Sequence, residues 1–135
     1  MALIEWNESF SVGVAFFDMQ HKQLISMLNE LHDAIETGRG KEALEQTLQR
    51  LSGYWLMHFT AEEQKMKEFD YPDIEAHKSE HLAFTIRLKE FKETSAAGKG
   101  ALPEEVLDFL KNWFVTHITG TDMKFKDFFN SSGLH

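Results

Sequence analysis

Apolar residues recur along this chain at intervals of three and four, the period of amphipathic α-helices. The first predicted helix covers about residues 18–37, with Asp18 as its N-cap and with Gly38 and Gly40 ending it. Its apolar face consists of Leu24, Met27, Leu28, Leu31 and Ile35. The same period predicts further helices over about 41–69, 74–97 and 103–129.

Turn signals separate these segments. Proline disfavours helix in the residue before it, so Tyr71-Pro72-Asp73 predicts a turn. Residues 98–100 break the third helix, and Pro103 suits the first turn of the fourth. Because the connections are short, the pattern predicts an all-α fold, an antiparallel up-down-up-down four-helix bundle.

Residues 1–17 show no helical period and are predicted to form an irregular N-terminal arm. Its apolar residues, among them Ile4, Trp6 and Phe10, are expected to anchor it across the bundle, with a short strand as the alternative. At 135 residues, the chain is predicted to be one domain spanning 1–135.

Composition limits the partners and the compartment. The formal net charge of −8 argues against nucleic-acid binding and against anionic membrane surfaces. The chain has no cysteine, which excludes disulfides, iron–sulfur clusters and cysteine-bound zinc. No signal peptide and no long uncharged stretch is visible, so we expect a cytoplasmic protein, without membrane insertion and monomeric.

Five of the seven histidines fall at metal-ligand spacings, and two carboxylates are in step with them. The set is His21, His58, Glu62, His77, His81, His117 and Asp122. At 1.5 Å per residue, all seven lie within about two helical turns at one end of the predicted bundle. A single histidine on an apolar face is more often a hydrogen-bonded core residue, but four segments at one level favour metal binding. Imidazole with carboxylate suits iron, manganese or zinc, and seven ligands predict two metals that share carboxylates.

One spacing in this set does not suit a regular helix. His117 and Asp122 are five residues apart, which separates their side chains by about 140° on an α-helix. The residues between them include three that are β-branched and one glycine, Gly120, which favour an α-helix poorly. We therefore hypothesise a π-type widening that turns Asp122 back towards the metals. Regular i→i−4 hydrogen bonds throughout 115–125 would contradict it.

The combined motifs resemble the hemerythrin family, and most closely its stand-alone bacterial members, the bacteriohemerythrins. The resemblance covers nearly the whole chain, including the arm. The matching segments are Asp18-Met-Gln-His21-Lys-Gln-Leu24, His58-Phe59-x-x-Glu62-Glu63, Tyr71-Pro72-Asp73 with His77-x-x-x-His81, and Trp113-x-x-x-His117-Ile118-x-x-x-Asp122.

The resemblance implies a non-haem di-iron centre with an oxo or hydroxo bridge inside the bundle. One iron would be bound by His77, His81 and His117. The other would be bound by His21 and His58, and the two carboxylates of the set would bridge both irons. The two-histidine iron would keep one open position, where dioxygen binds.

The implied function is reversible dioxygen binding for transport, storage or delivery to an oxygen-consuming enzyme, with no catalytic residue. The family positions that line the oxygen pocket correspond to Leu24, Phe59, Trp113 and Ile118, which are otherwise ordinary core residues. The alternatives are a di-iron peroxidase or oxidase, an oxygen or redox sensor acting through a separate partner, and an iron buffer. Phe125 departs from the family, since many relatives have tyrosine there.

Overall fold

The structure is a computed structural model that describes residues 3–96 and 102–135. These residues form five α-helices. They are α1 (Ala15–Glu36), α2 (Gly40–Glu68), α3 (Ile74–Ala96), α4 (Pro103–Thr116) and α5 (Met123–Ser131). A π-helical segment, His117–Asp122, joins α4 to α5, so these three form one continuous rod. The described residues contain no strand; the arm instead holds a 3₁₀ turn, Glu8–Phe10.

Neighbouring rods run in opposite directions. Between α1 and α2, Glu30 pairs with Arg50, and Gln20 pairs with His58, so the residue number rises on one helix as it falls on the other. The same reversal relates α2 to α3 and α3 to the fourth rod. The predicted antiparallel four-helix bundle is therefore confirmed. No helix in the described ranges is long and apolar enough to span a membrane.

The core divides into an aliphatic part and an aromatic part. Leu28, Leu31 and Leu51 are fully buried, at 0% exposure, in the half of the bundle away from the predicted ligands. Fully burying one such side chain contributes about 1.5–3 kcal/mol to stability. Aromatic rings occupy the level next to the predicted ligands, where Trp55 lies 4.3 Å from Phe84 between ring centroids. The polar cluster is thus enclosed by apolar side chains.

The first helix begins at Ala15, three residues before the predicted start, and Asp18 is not its N-cap. The Asp18 carboxylate accepts hydrogen bonds from the Ser11 hydroxyl at 2.6 Å and from the Val12 backbone N–H at 2.8 Å. Phe17 is buried and lies one turn before His21 on the core face, so the helix extends further towards its N-terminus. Asp18 therefore ties the arm to α1.

Further contacts fix the rest of the arm. The Asn29 side chain accepts a hydrogen bond from the Ile4 N–H at 3.0 Å and donates one to the Ile4 carbonyl at 2.9 Å. The Asn130 amide donates to the Gly13 carbonyl at 2.8 Å. The arm is thus attached to both α1 and α5, as expected for a segment lying across the bundle.

Two glycines separate the first helices in different ways. Gly38 has a φ of +77°, a left-handed conformation that glycine adopts without strain, and it lies in the turn after α1. Gly40 was predicted to end the first helix but is the first residue of α2. The predicted break at 98–100 lies outside the described residues.

We expect Asp18→Ala to lower the free energy of unfolding by about 1–3 kcal/mol, because it removes two hydrogen bonds to a charged, partly buried group. Urea denaturation followed by circular dichroism measures this change. Asp33→Ala, at an exposed position on the same helix, is the control and should change stability by less than about 0.5 kcal/mol. Equal stability of the two variants would contradict the role assigned to Asp18.

Candidate metal centre

The seven residues predicted from spacing converge at one level of the bundle. They come from all four rods, and each is at most 3% exposed. Two overlapping groups of four have their ligand atoms within 4.8 Å of one another. One group is Glu62, His77, His81 and His117; the other is His21, His58, Glu62 and Asp122.

Two histidines form one side of this cluster. The Nε2 atoms of His21 and His58 lie 2.9 Å apart. The His21 Nε2 atom is 3.3 Å from Oδ2 of Asp122, and the His58 Nε2 atom is 3.4 Å from Oε2 of Glu62. One oxygen of each carboxylate therefore faces the two-histidine side.

Three histidines form the other side. His77 and His117 place Nε2 at 3.0 Å and 2.9 Å from Oδ1 of Asp122. The His81 Nε2 atom lies 3.2 Å from Oε1 of Glu62. Each carboxylate thus directs one oxygen to the three-histidine side and its other oxygen to the two-histidine side, which is the arrangement of a bridging ligand.

The π-helical segment brings Asp122 into this position. It spans His117–Asp122, so the hypothesised widening of the helix is confirmed. Hydrogen bonds of the i→i+5 type give a wider turn than the α-helix, which brings residues five apart closer to one face. His117 and Asp122 consequently approach to 2.9 Å instead of diverging. The Thr121 hydroxyl, in the same segment, donates to the Glu80 carboxylate at 2.8 Å and links the segment to α3.

Unsatisfied polar atoms test whether this cluster fits metal ions. Within the described residues, Oε2 of Glu62 and both carboxylate oxygens of Asp122 are buried and make no hydrogen bond, although imidazole nitrogens surround them. Burying such an oxygen without a partner costs several kcal/mol. Ligand atoms at about 2.1 Å from one ion and at right angles to each other lie about 3 Å apart. The short distances between these atoms and the unpaired carboxylate oxygens therefore fit two cations that the seven side chains surround.

The pKa values show that the metal-free cluster holds protons. Burial lowers the pKa of His77, but the carboxylates of Asp122 and Glu62 beside its ring outweigh burial and raise this pKa to about 10. Burial also lowers the pKa of His117, but the negative charge of Asp122 outweighs burial and raises this pKa. Burial raises the pKa values of Glu62 and Asp122, but the surrounding imidazoles hold both below their usual range. At pH 7 both carboxylates are ionised and His77 is protonated.

Two outward hydrogen bonds at the cluster were not predicted from the sequence. Nδ1–H of His58 donates to Oε1 of Gln20 at 2.6 Å, and Nδ1–H of His81 donates to Oε2 of Glu63 at 2.9 Å. Gln20 directly precedes a ligand candidate and Glu63 directly follows one, which was the available signal. Their partners lie on other helices, so the pairing requires the packed bundle.

The predicted pocket residues all lie in the core or at its edge. Leu24 and Ile118 are buried, at 0% and 1% exposure. The Phe59 ring stacks on His81 at 3.8 Å between centroids, and the half-buried Trp113 stacks on His117 at 4.4 Å. These two rings cover imidazoles of the three-histidine side.

Two phenylalanines beside the two-histidine side were missed. Phe17 contacts His58 edge-on at 6.1 Å, and Phe114 contacts His21 edge-on at 5.9 Å. Both belong to the apolar stripe of their helix, so their sequence pattern did not distinguish them from other core residues.

Phe125 borders the cluster, whereas His32 lies away from it. Phe125 is fully buried, and its ring centroid lies 5.7 Å from that of His77. Because phenylalanine has no hydroxyl, this side chain cannot donate a hydrogen bond to the cluster. His32 lies outside the cluster; its Nε2 atom is 4.0 Å from the exposed Glu36 carboxylate.

The fold and the site together define a class: four-helix proteins with a buried imidazole–carboxylate centre for two metal ions. Residues 12–129 match the family model described as the hemerythrin HHE cation binding domain, and the chain belongs to the hemerythrin family. It is 34% identical to a bacteriohemerythrin of Stenotrophomonas maltophilia over 127 residues, 94% of this chain and 82% of that protein. It is 36% identical to one of Methylococcus capsulatus over 123 residues, 90% of this chain and 93% of that protein.

Similarity extends to an animal protein and to solved structures. A myohemerythrin of Theromyzon tessulatum is 34% identical over 122 residues, 90% of each chain. A crystal structure of wild-type hemerythrin superposes with a TM-score of 0.87 at 32% identity, covering 93% of this chain and 97% of that one. The resemblance inferred from the motifs is therefore confirmed.

Metal binding should release protons from this cluster. A coordinated imidazole must lose the proton on its ligand nitrogen, and His77 and His117 have raised pKa values in the metal-free protein. Adding zinc(II) to the metal-free chain at pH 7 should release about one proton per chain or more, measured with an indicator dye in weak buffer. Because protons compete with the metal, affinity should fall as the pH is lowered. Zinc uptake without proton release would contradict these charge states.

Proposed function

We propose that this chain binds dioxygen reversibly at a non-haem di-iron centre, for oxygen transport, storage or delivery. One observation carries the proposal: each of two buried carboxylates directs one oxygen to a group of three imidazoles and its other oxygen to a group of two. The seven side chains supply unequal ligand sets, so one metal retains a position for an external ligand. Membership of the hemerythrin family supports the choice of iron over zinc or manganese, which suit similar ligands.

The ligand assignment that we propose follows this division. His77, His81 and His117 would hold one iron, and His21 and His58 would hold the other. Glu62 and Asp122 would bridge the two, together with an oxo or hydroxo group. When bound, the iron pair supplies the two electrons that reversible dioxygen binding requires.

The apolar surroundings would keep binding reversible. We propose that Leu24, Phe59, Trp113 and Ile118 line the oxygen pocket, and Phe114 beside His21 extends this wall. Such a wall excludes water and protons. Water and protons would promote release of oxygen as hydrogen peroxide, and the iron pair would then stay oxidised. The relatives' names support an oxygen-binding protein rather than an enzyme.

We further propose that residues 1–135 form one cytoplasmic, monomeric domain that delivers oxygen to an oxygen-consuming enzyme. All seven candidate ligands come from a single chain, so the centre needs no second copy. The absence of cysteine suits a reducing compartment. The family match over 12–129 supports a single domain.

The visible spectrum tests the proposed function. The iron-loaded protein is reduced without oxygen, oxygen is then admitted, and the spectrum is followed while oxygen is removed again. We expect an oxygenated absorption band that persists for minutes and disappears on deoxygenation. Immediate conversion to the oxidised form, with turnover of added peroxide, would instead indicate a peroxidase or oxidase.

The ligand assignment is tested by His77→Ala. We expect this variant to bind fewer than two irons per chain, because it removes one ligand of the three-histidine side and a contact of both carboxylates. Iron content is measured by elemental analysis, and far-UV circular dichroism verifies the helical fold. His32→Ala, outside the cluster, should retain both irons. Two tightly bound irons in His77→Ala would refute the assignment.

A further inference from the structure

Each side of the metal centre has one imidazole that is anchored from outside, and the two anchors differ in charge. On the two-histidine side, His58 donates from Nδ1 to the neutral amide oxygen of Gln20 at 2.6 Å. On the three-histidine side, His81 donates from Nδ1 to the carboxylate of Glu63 at 2.9 Å. Nδ1 of His21 and Nδ1 of His117 are buried and make no hydrogen bond within the described residues, although the Glu80 carboxylate lies 3.5 Å from Nδ1 of His117.

These hydrogen bonds determine which nitrogen faces the metals. An imidazole that donates from Nδ1 has Nε2 free as the ligand atom when the ring is neutral. Nε2 of His58 and of His81 both point into the cluster, at 3.4 Å and 3.2 Å from oxygens of Glu62. Gln20 and Glu63 therefore select the same tautomer on both sides.

The anchors also differ in how they hold the ring. Phe59 stacks on His81 with an angle of 9° between the ring planes, so His81 is fixed by its face and by its edge. His58 has only edge-on or tilted aromatic neighbours among the ring contacts of the described residues. A carboxylate partner also makes an imidazole a stronger electron donor than a neutral amide partner does.

We propose that Glu63 and Gln20 are positioning residues that make the two metals electronically unequal. The Glu63 carboxylate increases donation through His81 and stabilises the oxidised state on the three-histidine side. The neutral Gln20 fixes His58 without adding charge on the two-histidine side. This inference rests on the proposed di-iron function and assigns the redox balance of that site to two residues outside the ligand set.

Exchanging the two side chains tests the proposal. Glu63→Gln keeps a hydrogen-bond acceptor of similar shape and removes the charge, so the midpoint reduction potential of the iron pair should rise. Gln20→Glu adds a charge beside His58, so the potential should fall. The measurement is spectroelectrochemical titration of the iron-loaded protein without oxygen. Glu45→Gln removes the same charge from an exposed site about 27 Å along α2 and should leave the potential unchanged.

Opposite shifts of the two variants would support the proposal, because a purely structural role predicts no change of sign. Shifts in the same direction, or no shift in either variant, would overturn it. Gln20 is only 2% exposed, so the added charge disfavours folding of Gln20→Glu. If Gln20→Glu loses iron, the test is the reduction potential of Glu63→Gln compared with that of Glu45→Gln. Equal potentials of these two variants would overturn the proposal.

Metal affinity provides a readout that does not depend on oxygen binding. Glu63→Ala should weaken one of the two bound cobalt(II) ions by about 10–100-fold, because loss of such a hydrogen bond leaves the imidazole poorly oriented. Glu63→Gln should weaken it less. Equal cobalt affinity of wild type and Glu63→Ala would overturn the positioning role. If wild type takes up both metals but binds no oxygen, the proposed function fails, whereas these comparisons still test the anchors.

Discussion

The burial of two carboxylates in the centre of a helical bundle is the constraint on which the rest of the structure depends. Glu62 and Asp122 are both 0% exposed, and an isolated buried carboxylate costs several kcal/mol. The five imidazoles, together with the cations that the cluster fits, can offset this cost only if all four rods place these side chains at one level. Asp18, three residues before His21, ties the start of α1 to the arm close to this level.

The π-helical segment solves the remaining problem of register. His117 and Asp122 must both face the metals, and the downstream Phe125 and Phe129 must still face the core. In a regular α-helix, His117 would point away from the face that carries Asp122, Phe125 and Phe129. Widening one turn satisfies both, and the hydrogen bond from Thr121 to Glu80 holds the widened turn against α3. The π-helical segment thus allows His117 and Asp122 to reach the same cluster.

The residues of the cluster could be predicted from the sequence, whereas most of the side chains that contact them could not. Ligand spacing within a helix depends on local geometry, so His58 and Glu62 could be paired from their numbers, and the misfit of His117 with Asp122 revealed the π segment. The start of α1 was wrong because Asp18 has the composition of an N-cap, whereas its bonds go to the arm. Outer partners such as Glu63 depend on contacts between helices, which spacing along one helix does not encode.

The two sides of the centre differ in rigidity as well as in ligand number. All three imidazoles on one side have a stacked ring beside them, those of Phe59, Trp113 and Phe125, and one is bonded to a carboxylate. On the other side, the ring contacts of the described residues include no stacked ring: Phe17 contacts His58 edge-on, and Phe114 contacts His21 edge-on. A metal that gains and loses an external ligand must change its coordination, and this is easiest where the ligands are less constrained. Under the ligand assignment proposed above, the open position would therefore lie on the less constrained side.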